Sequence, residues 1–182
     1  MNKTISAVLI TAVVLFLYGF LYWAVNPLPY TALNKVKNEQ VTQQGVARLF
    51  PDSGAYLIPG PGSEFAENLA KGPAVLLSID HSPSAEGEPL DLFIGFLINL
   101  ASAYLLALIL GKVSGRSERM QVAVITGVLA TPLINGSEVV WWLQPLNWVA
   151  YHMLYFVIYF VIAGALLCRL LPDGNPAAKS NE

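Results

Sequence analysis

The sequence predicts an all-α membrane protein with four transmembrane helices and a small α+β extracytoplasmic cap between the first two. Of its 182 residues, 55% are hydrophobic and only 12% are charged, a composition typical of membrane proteins. Residues 90–111 carry one carboxylate near their start and no other charge. Because a helix rises about 1.5 Å per residue, this segment is long enough to cross the hydrocarbon core.

The first predicted transmembrane helix covers residues 1–25. Its uncharged run, residues 5–25, is longer than the apolar region of about 7–15 residues in a signal peptide. The bulky pair Tyr22 and Trp23 stands where a cleavage site requires small residues. We therefore expect an uncleaved signal anchor, with Tyr18 joining this pair in an aromatic belt at the outer membrane interface.

A more polar segment, residues 26–89, follows this helix. Pro27 ends the helix because proline lacks a backbone donor and disfavours helical geometry in the residue before it. The pattern of apolar residues and turns predicts two helices and two strands, at residues 32–50, 55–58, 64–71 and 74–79, with Ser63 capping the second helix. Elements this short cannot bury much core. The segment is therefore expected to rest as a cap on the helical bundle.

The remaining chain predicts transmembrane helices at residues 90–111, 120–142 and 146–171, followed by a disordered cytoplasmic tail at 172–182. Pro132 and the Asn135-Gly136 pair interrupt the second of these three helices. Two alternatives fit this interruption. The helix is either kinked and continues to the Trp141-Trp142 pair, or it is broken by a re-entrant turn.

The distribution of basic residues predicts the orientation in the membrane. Lys112, Arg116 and Arg119 lie between the second and third predicted helices, and Arg169 and Lys179 lie at the C-terminal end. The short connection between the third and fourth helices has no basic residue. Because lysine and arginine favour the cytoplasmic side in short loops, both termini are expected in the cytoplasm of a bacterium and the cap in the periplasm.

A stripe of small or amide side chains runs along the second predicted transmembrane helix at every fourth position. Such a stripe allows two helix backbones to approach closely, which is what drives helix pairing in lipid. An amide within it is expected to seek a partner across the interface. The predicted helix-packing residues are Gly95, Asn99, Ala103, Ala107 and Gly111.

Polar residues near the outer ends of the last two helices form the candidate ligand-binding site. Glu138 is an ionisable residue close to membrane depth, which is by default a hypothesis of function. His152 and Tyr155 share one helix face. The predicted site comprises Asn135, Glu138, Asn147, His152 and Tyr155, covered by the cap. The alternative is that these residues form a water-exposed boundary with an interfacial tyrosine belt.

The sequence predicts no catalytic residues, no metal site and no cofactor. One cysteine, Cys168, and two histidines are too few for a Cys/His zinc cluster. Asp80-His81 lies in a Pro/Ser/Gly loop without a second pair of ligands, and no GxSxG elbow is present. A net charge of −2 offers no basic field for nucleic acid.

Four short motifs resemble those of an uncharacterised family of bacterial four-span inner-membrane proteins. They are the aromatic-rich exit of the first helix, an outer strand with PGPG after it, a later KGPAVL strand and a Trp-Trp pair, at residues 20–30, 53–62, 71–76 and 141–142. The resemblance covers most of the chain. It implies the same four-span architecture and carries no assigned activity.

Two classes of function follow from these features. The first is a non-catalytic accessory or scaffold protein that packs with itself or with a larger membrane complex through the stripe on the second transmembrane helix. The second is a small transporter, or a protein that binds a lipid or small ligand near Glu138 and His152. The lipid bilayer is a partner in both, and transport through only four helices implies oligomerisation.

Overall fold

The computed structural model describes residues 3–82 and 88–172, which form six α-helices and two strands. A π-helical turn, Leu21–Val25, extends the first helix, and a 3₁₀ turn, Pro29–Ala32, follows it. The elements are α1 (Lys3–Phe20), α2 (Glu39–Leu49), β1 (Gly54–Ile58), α3 (Phe65–Lys71), β2 (Val75–Ile79), α4 (Pro89–Leu110), α5 (Arg116–Trp141) and α6 (Leu146–Leu170). The predicted tail at 173–182 lies outside the described residues.

Four of these helices are long and apolar enough to cross a membrane. They are α1 with its π-helical turn, α4, α5 and α6, and they span 23, 22, 26 and 25 residues. The prediction of a mainly helical chain with four such helices and a small two-stranded sheet is confirmed. No more than 28% of the most apolar stretch of any of these helices is buried inside the protein, as expected for helices surrounded by lipid.

The third of the long helices, α5, is continuous through Pro132 and the Asn135-Gly136 pair. A re-entrant turn at this pair is therefore wrong, and the single-helix alternative holds. The helix begins at Arg116 rather than at residue 120. Gly115 immediately before it has a φ of 93°, a conformation that glycine adopts without the steric cost of a side chain.

The four long helices pack as two pairs. α5 lies along α6, α1 lies along α4, and contacts between α1 and α6 join the two pairs. In contrast, α4 makes few contacts with α5. One continuous apolar core is nevertheless built from all four helices, with Leu15, Leu110, Ala123 and Leu167 fully covered.

Small residues bring α5 and α6 very close together. A Cβ atom added to Gly127 would lie 2.5 Å from the Cβ of Phe160, and one added to Gly164 would lie 2.7 Å from the Cβ of Ala123. Side chains cannot approach that closely, so both positions require glycine in this packing. The buried residues of α5 recur at every fourth position: Arg119, Ala123, Gly127, Thr131 and Asn135.

The cap segment, residues 26–89, is smaller in regular structure than predicted. The helix expected at 32–50 exists only as α2, because the Asn38 side chain accepts a hydrogen bond from the Val41 N–H at 3.1 Å and starts the helix there. Ser63 caps nothing: α3 starts after Glu64, with no side-chain cap. β1 and β2 pair antiparallel, with Tyr56 opposite Leu77.

Contacts between the cap segment and the long helices are concentrated at one point. The 3₁₀ turn packs against α6, and the Asn147 Nδ2 donates to the Ala32 carbonyl at 3.4 Å. Neither α2 nor α3 contains a buried residue. The cap segment is therefore tied to the bundle mainly through the residues that directly follow α1.

Candidate functional site

A cavity lies among the four long helices, on the side where α4 and α5 separate. Its volume is about 490 Å³, which is within the range of small-molecule sites. The cavity exists because α4 packs mainly on α1 while α5 packs on α6, which leaves a gap between α4 and α5. Leu15 of α1 and Ala163 of α6 close it from behind.

The wall of this cavity is apolar and uncharged. Ile98, Leu105 and Ile109 of α4 face Ile134 of α5, with Phe156 and Phe160 contributed by α6. Among the described residues, no aspartate, glutamate, lysine, arginine or histidine lines it. A charged ligand would lose its hydration here without gaining an opposite charge, so the cavity suits a neutral molecule.

Two carboxamides, one on each side of the gap, belong to the polar part of the wall. Asn99 lies on α4 and Asn135 on α5. Each donates its Nδ2 group to the carbonyl oxygen four residues earlier in its own helix, at 2.8 Å and 3.0 Å respectively. The bond of Asn99 lies within α4, and the expectation that Asn99 seeks a partner across a helix interface stays a prediction. Each amide keeps its carbonyl oxygen as an acceptor and its second N–H as a donor.

The hydroxyl groups in the cavity wall follow the same pattern. Each donates to the carbonyl oxygen four residues earlier in its own helix: Ser102 at 2.8 Å, Thr126 at 2.7 Å and Thr131 at 2.6 Å. The Tyr159 side chain interacts with that of Ser102. The hydrogen atoms of these groups are thus committed within the protein, while their oxygen lone pairs remain available.

The structure places only two of the five predicted site residues in this cavity, namely Asn135 and Tyr155. Asn147 binds the cap segment instead. Glu138, half-buried near the end of α5, is close enough to His152 for the two side chains to interact electrostatically. The five residues therefore do not converge on one pocket.

His152 lies in a cluster of aromatic rings. Its ring centroid is 4.7 Å from that of Trp23 and 4.8 Å from that of Trp148, which it meets edge to face. Its Nε2 atom is buried and has no hydrogen-bond partner within the described part of the chain. Two indole rings thus pack against the imidazole, and His152 is not part of the cavity wall between α4 and α5.

The aromatic residues at the end of α1 pack against α6. Tyr18 stacks on Tyr155 with ring centroids 5.1 Å apart and donates a hydrogen bond to its carbonyl at 3.2 Å. Tyr22 donates to the Tyr151 carbonyl at 2.8 Å. The aromatic belt at the outer membrane interface stays a prediction, and these contacts show that two of its tyrosines also bind the protein. They fasten the end of α1 to α6.

The stripe predicted on α4 faces the protein along most of its length. Ala103 and Ala107 are 1% and 4% exposed in the core shared with α1, and the site of a Cβ on Gly95 lies 3.6 Å from the Phe16 ring. Asn99 lines the cavity, whereas Gly111 lies exposed beyond the helix end. Sequence reasoning missed the equivalent stripe on α5, although its residues also recur every four positions.

Arg119 is a second feature that sequence reasoning missed. This residue was assigned only a topological role, yet its side chain is 1% exposed. Its Nε donates to the Val113 carbonyl and its second terminal nitrogen to the Pro172 carbonyl, both at 2.9 Å. It thereby connects the turn between α4 and α5 to the end of α6.

The described residues contain no group of three histidine, cysteine, aspartate or glutamate side chains that could hold a metal ion. His81, which the sequence singled out together with Asp80, places its Nε2 2.7 Å from the Phe50 carbonyl oxygen. Its backbone N–H donates to the Ser53 hydroxyl at 2.9 Å. The histidine thus ties the end of β2 to the turn before β1.

Comparisons of the chain with protein-family models, with curated proteins and with solved structures found no match. The resemblance to a four-span family of bacterial membrane proteins stays a prediction.

Proposed function

We propose that this chain is a multi-pass bacterial inner-membrane protein that binds a small apolar molecule in the cavity between α4 and α5. The observation that carries the proposal is the cavity itself. It is about 490 Å³ in volume, uncharged, and located within helices long and apolar enough to span a bilayer. A molecule dissolved in the membrane could enter it from the side, where the two helices separate.

The proposal includes an orientation. The N-terminus, the turn between α4 and α5, and the C-terminus face the cytoplasm, and the cap segment faces the periplasm. The basic residues near these ends support it. The hydrogen bond from Arg119 to Pro172 also supports it, because it joins the α4–α5 turn and the end of α6 at the same end of the bundle.

The accessory or scaffold role remains a prediction with less support from the geometry. Its basis was the stripe on α4, whose Ala103 and Ala107 are already buried within this chain. A protein that binds a small molecule without transforming it agrees with the alternative drawn from the sequence. The proposed binding region differs from the one predicted from the sequence. It is centred on Asn99 and Asn135, whereas the sequence suggested Glu138 and His152.

Filling the cavity tests the proposal. Ala130 lines the cavity and is half-buried, so Ala130→Phe should place a ring in the space that the ligand would occupy. The measurement is photolabelling in nanodiscs by a long-chain alcohol that carries a diazirine, followed by mass-spectrometric mapping of the labelled residues. In the wild type, we expect labels concentrated on the cavity wall, and the variant should reduce them at least about fivefold, equivalent to roughly 1 kcal/mol.

The matched control is Ala150→Phe, since Ala150 is an exposed residue of α6 outside the cavity wall. It adds the same ring on the outer surface of the bundle and should leave cavity labelling unchanged. Labels spread evenly over the outer faces of all four helices in the wild type would contradict the proposal.

A further inference from the structure

We infer that the cavity binds a neutral amphiphile with a single chain and holds it in one direction, with the polar group towards the cap segment and the apolar chain towards the α4–α5 turn. This inference rests on the proposed function and adds the chemical class of the ligand and its orientation. Its basis is the uneven distribution of polar side chains along the cavity wall.

The cavity is elongated along the helix axes. Its wall on α4 extends from Ile98 to Ile109, which is roughly 17 Å at about 1.5 Å per residue. Spread over this length, the volume of about 490 Å³ gives a mean cross-section of about 30 Å². A space of this shape suits one extended chain better than a compact or branched molecule.

The part of the wall nearest the α4–α5 turn is apolar. Leu105, Leu106 and Ile109 lie within the last two turns of α4, and Ala163 lies about two turns before the end of α6. Among the described residues, no polar side chain lines the cavity at this depth. The chain of a ligand can therefore lie here without covering a polar group.

The polar side chains of the wall all lie farther from this turn. Ser102 of α4 interacts with Tyr159 of α6, and Gly127 of α5 lies against Phe160 of α6, so the middle residues of these three helices are at one height. From there the polar side chains extend towards the cap segment. They are Asn99 and Ser102 of α4, Thr126, Thr131 and Asn135 of α5, and Tyr155 and Tyr159 of α6.

This distribution favours one direction of binding. A polar group of the ligand finds both hydrogen-bond donors and acceptors beside Asn99 and Asn135, since each amide keeps an oxygen and an N–H. In the reverse direction, the ligand would place its polar group among leucine and isoleucine side chains and its apolar chain against the amides and hydroxyls. Both arrangements leave polar groups unpaired in a medium without water, which is unfavourable. The uncharged wall also disfavours a charged headgroup.

Two photoactivatable alcohols of equal chain length test the direction, in nanodiscs of phosphatidylcholine with mass-spectrometric mapping. One carries the diazirine beside the hydroxyl group and the other carries it at the far end of the chain. We expect the far-end probe to label Leu105, Leu106 and Ile109 about two- to tenfold more than Thr131 and Asn135, the factor that corresponds to one net hydrogen bond. The probe with the diazirine beside the hydroxyl should show the reverse preference.

The bilayer by itself predicts a different pattern. Alcohols in the two leaflets keep their hydroxyl groups at opposite surfaces, because a polar group is costly to remove from water, and their chain ends meet at the midplane. Alcohols outside the cavity therefore bring the far-end probe to the middle of the helices, and labels on the outer faces of the bundle measure this background.

One variant and a matched control assign the direction to the polarity of the wall. Leu105→Asn places an amide in the apolar part of the cavity, so it should bring the preference of the far-end probe closer to one. Leu108→Asn makes the same change at an exposed leucine of α4 that does not line the cavity, and it should leave the preference unchanged.

Competition tests the class of ligand. The unlabelled alcohol should displace the probes from the cavity. At equal content in the membrane, an alkyl sulfonate of the same chain length and a diacylglycerol with two such chains should each compete at least about threefold less well. Equal competition by either molecule would overturn the assignment to a neutral, single-chain ligand.

The outcomes separate this inference from the proposed function. Labels confined to the cavity but with the reverse preference, or with none, would overturn the direction and leave ligand binding intact. A wild-type preference that Leu105→Asn does not change, or that Leu108→Asn changes equally, would also overturn it. The absence of labels from the cavity wall with both probes would overturn the inference and the proposed function together.

Discussion

A single buried side chain, Arg119, connects two regions that are far apart in the sequence. Its guanidinium group donates to the carbonyls of Val113 and Pro172. Among the described residues it forms no ion pair with a carboxylate. A buried charge is costly unless it is hydrogen-bonded, so these two carbonyls stabilise the charge and the charge fixes their positions. The residue thus holds the α4–α5 turn against the end of α6.

Replacing this arginine by lysine should show that geometry, rather than charge alone, stabilises this end of the bundle. The ammonium group of Arg119→Lys cannot reach both carbonyls in the fixed arrangement that a guanidinium provides. We expect a loss of about 1.5–3 kcal/mol in the free energy of unfolding, the range for hydrogen bonds to charged groups. The measurement is unfolding in mixed micelles, monitored by tryptophan fluorescence.

Arg116→Lys is the matched control for this change, because Arg116 is exposed on the same helix. It should alter the free energy of unfolding by no more than about 0.5 kcal/mol. Equal effects at the two positions would show that the contacts of Arg119 with the two carbonyls add nothing to stability.

At the scale of the helix pair, the contact between α5 and α6 depends on the absence of side chains at Gly127 and Gly164. A methyl group at Gly127 would overlap the Phe160 side chain next to its backbone, where a rotamer change cannot relieve the clash. Gly127→Ala should therefore destabilise the protein by about 1–3 kcal/mol, the usual cost of overpacking. Thermal unfolding in detergent measures this loss.

Replacing a different glycine of α5 by alanine should not lower the stability of the protein. A Cβ at Gly136 would meet nothing within 4 Å, and alanine favours a helix over glycine by up to about 1 kcal/mol. We expect Gly136→Ala to be neutral or slightly stabilising. If both alanine variants unfolded like the wild type, the close contact between α5 and α6 would not exist in solution.

The helices themselves could be predicted because uncharged runs of sufficient length have few other stable structures. Which helices pack against each other could not be predicted. The stripe on α4 was evident since its members are small, whereas the stripe on α5 includes Arg119, Thr131 and Asn135, whose polarity suggested a loop or a binding site. Only the packing shows that these three side chains face the inside of the bundle.

At the scale of the whole molecule, the cavity results from which helices pair. Nothing in the sequence of α4 or α5 indicates that they stay apart. The gap between them arises because α4 packs mainly on α1 and α5 packs on α6. For this reason the predicted site is only partly right: Asn135 and Tyr155 line the cavity. The other three predicted residues, Glu138, Asn147 and His152, do not. The latter three lie near the helix ends, where the contacts depend on how α1 and the cap segment meet α6.

The arrangement of the bundle also predicts the sidedness of the chain. The end of α1 packs on the beginning of α6 through Tyr22 and Tyr151, so these two helices run in opposite directions. Arg119 joins the α4–α5 turn to the other end of α6. If each of the four helices crosses the membrane, the start of α1 and the end of α6 lie on the same side as that turn. The basic residues of the turn then favour the cytoplasm, as in the proposed orientation.

Fusions to an enzyme that is active only in the periplasm test this orientation. A reporter inserted after Ser63, in the cap segment, should be active, whereas reporters after Ser114 and Ser180 should be inactive. A cytoplasm-specific reporter at the same three positions should give the reverse pattern, which separates wrong orientation from poor expression. Activity of the periplasmic reporter after Ser114 would contradict the proposed orientation.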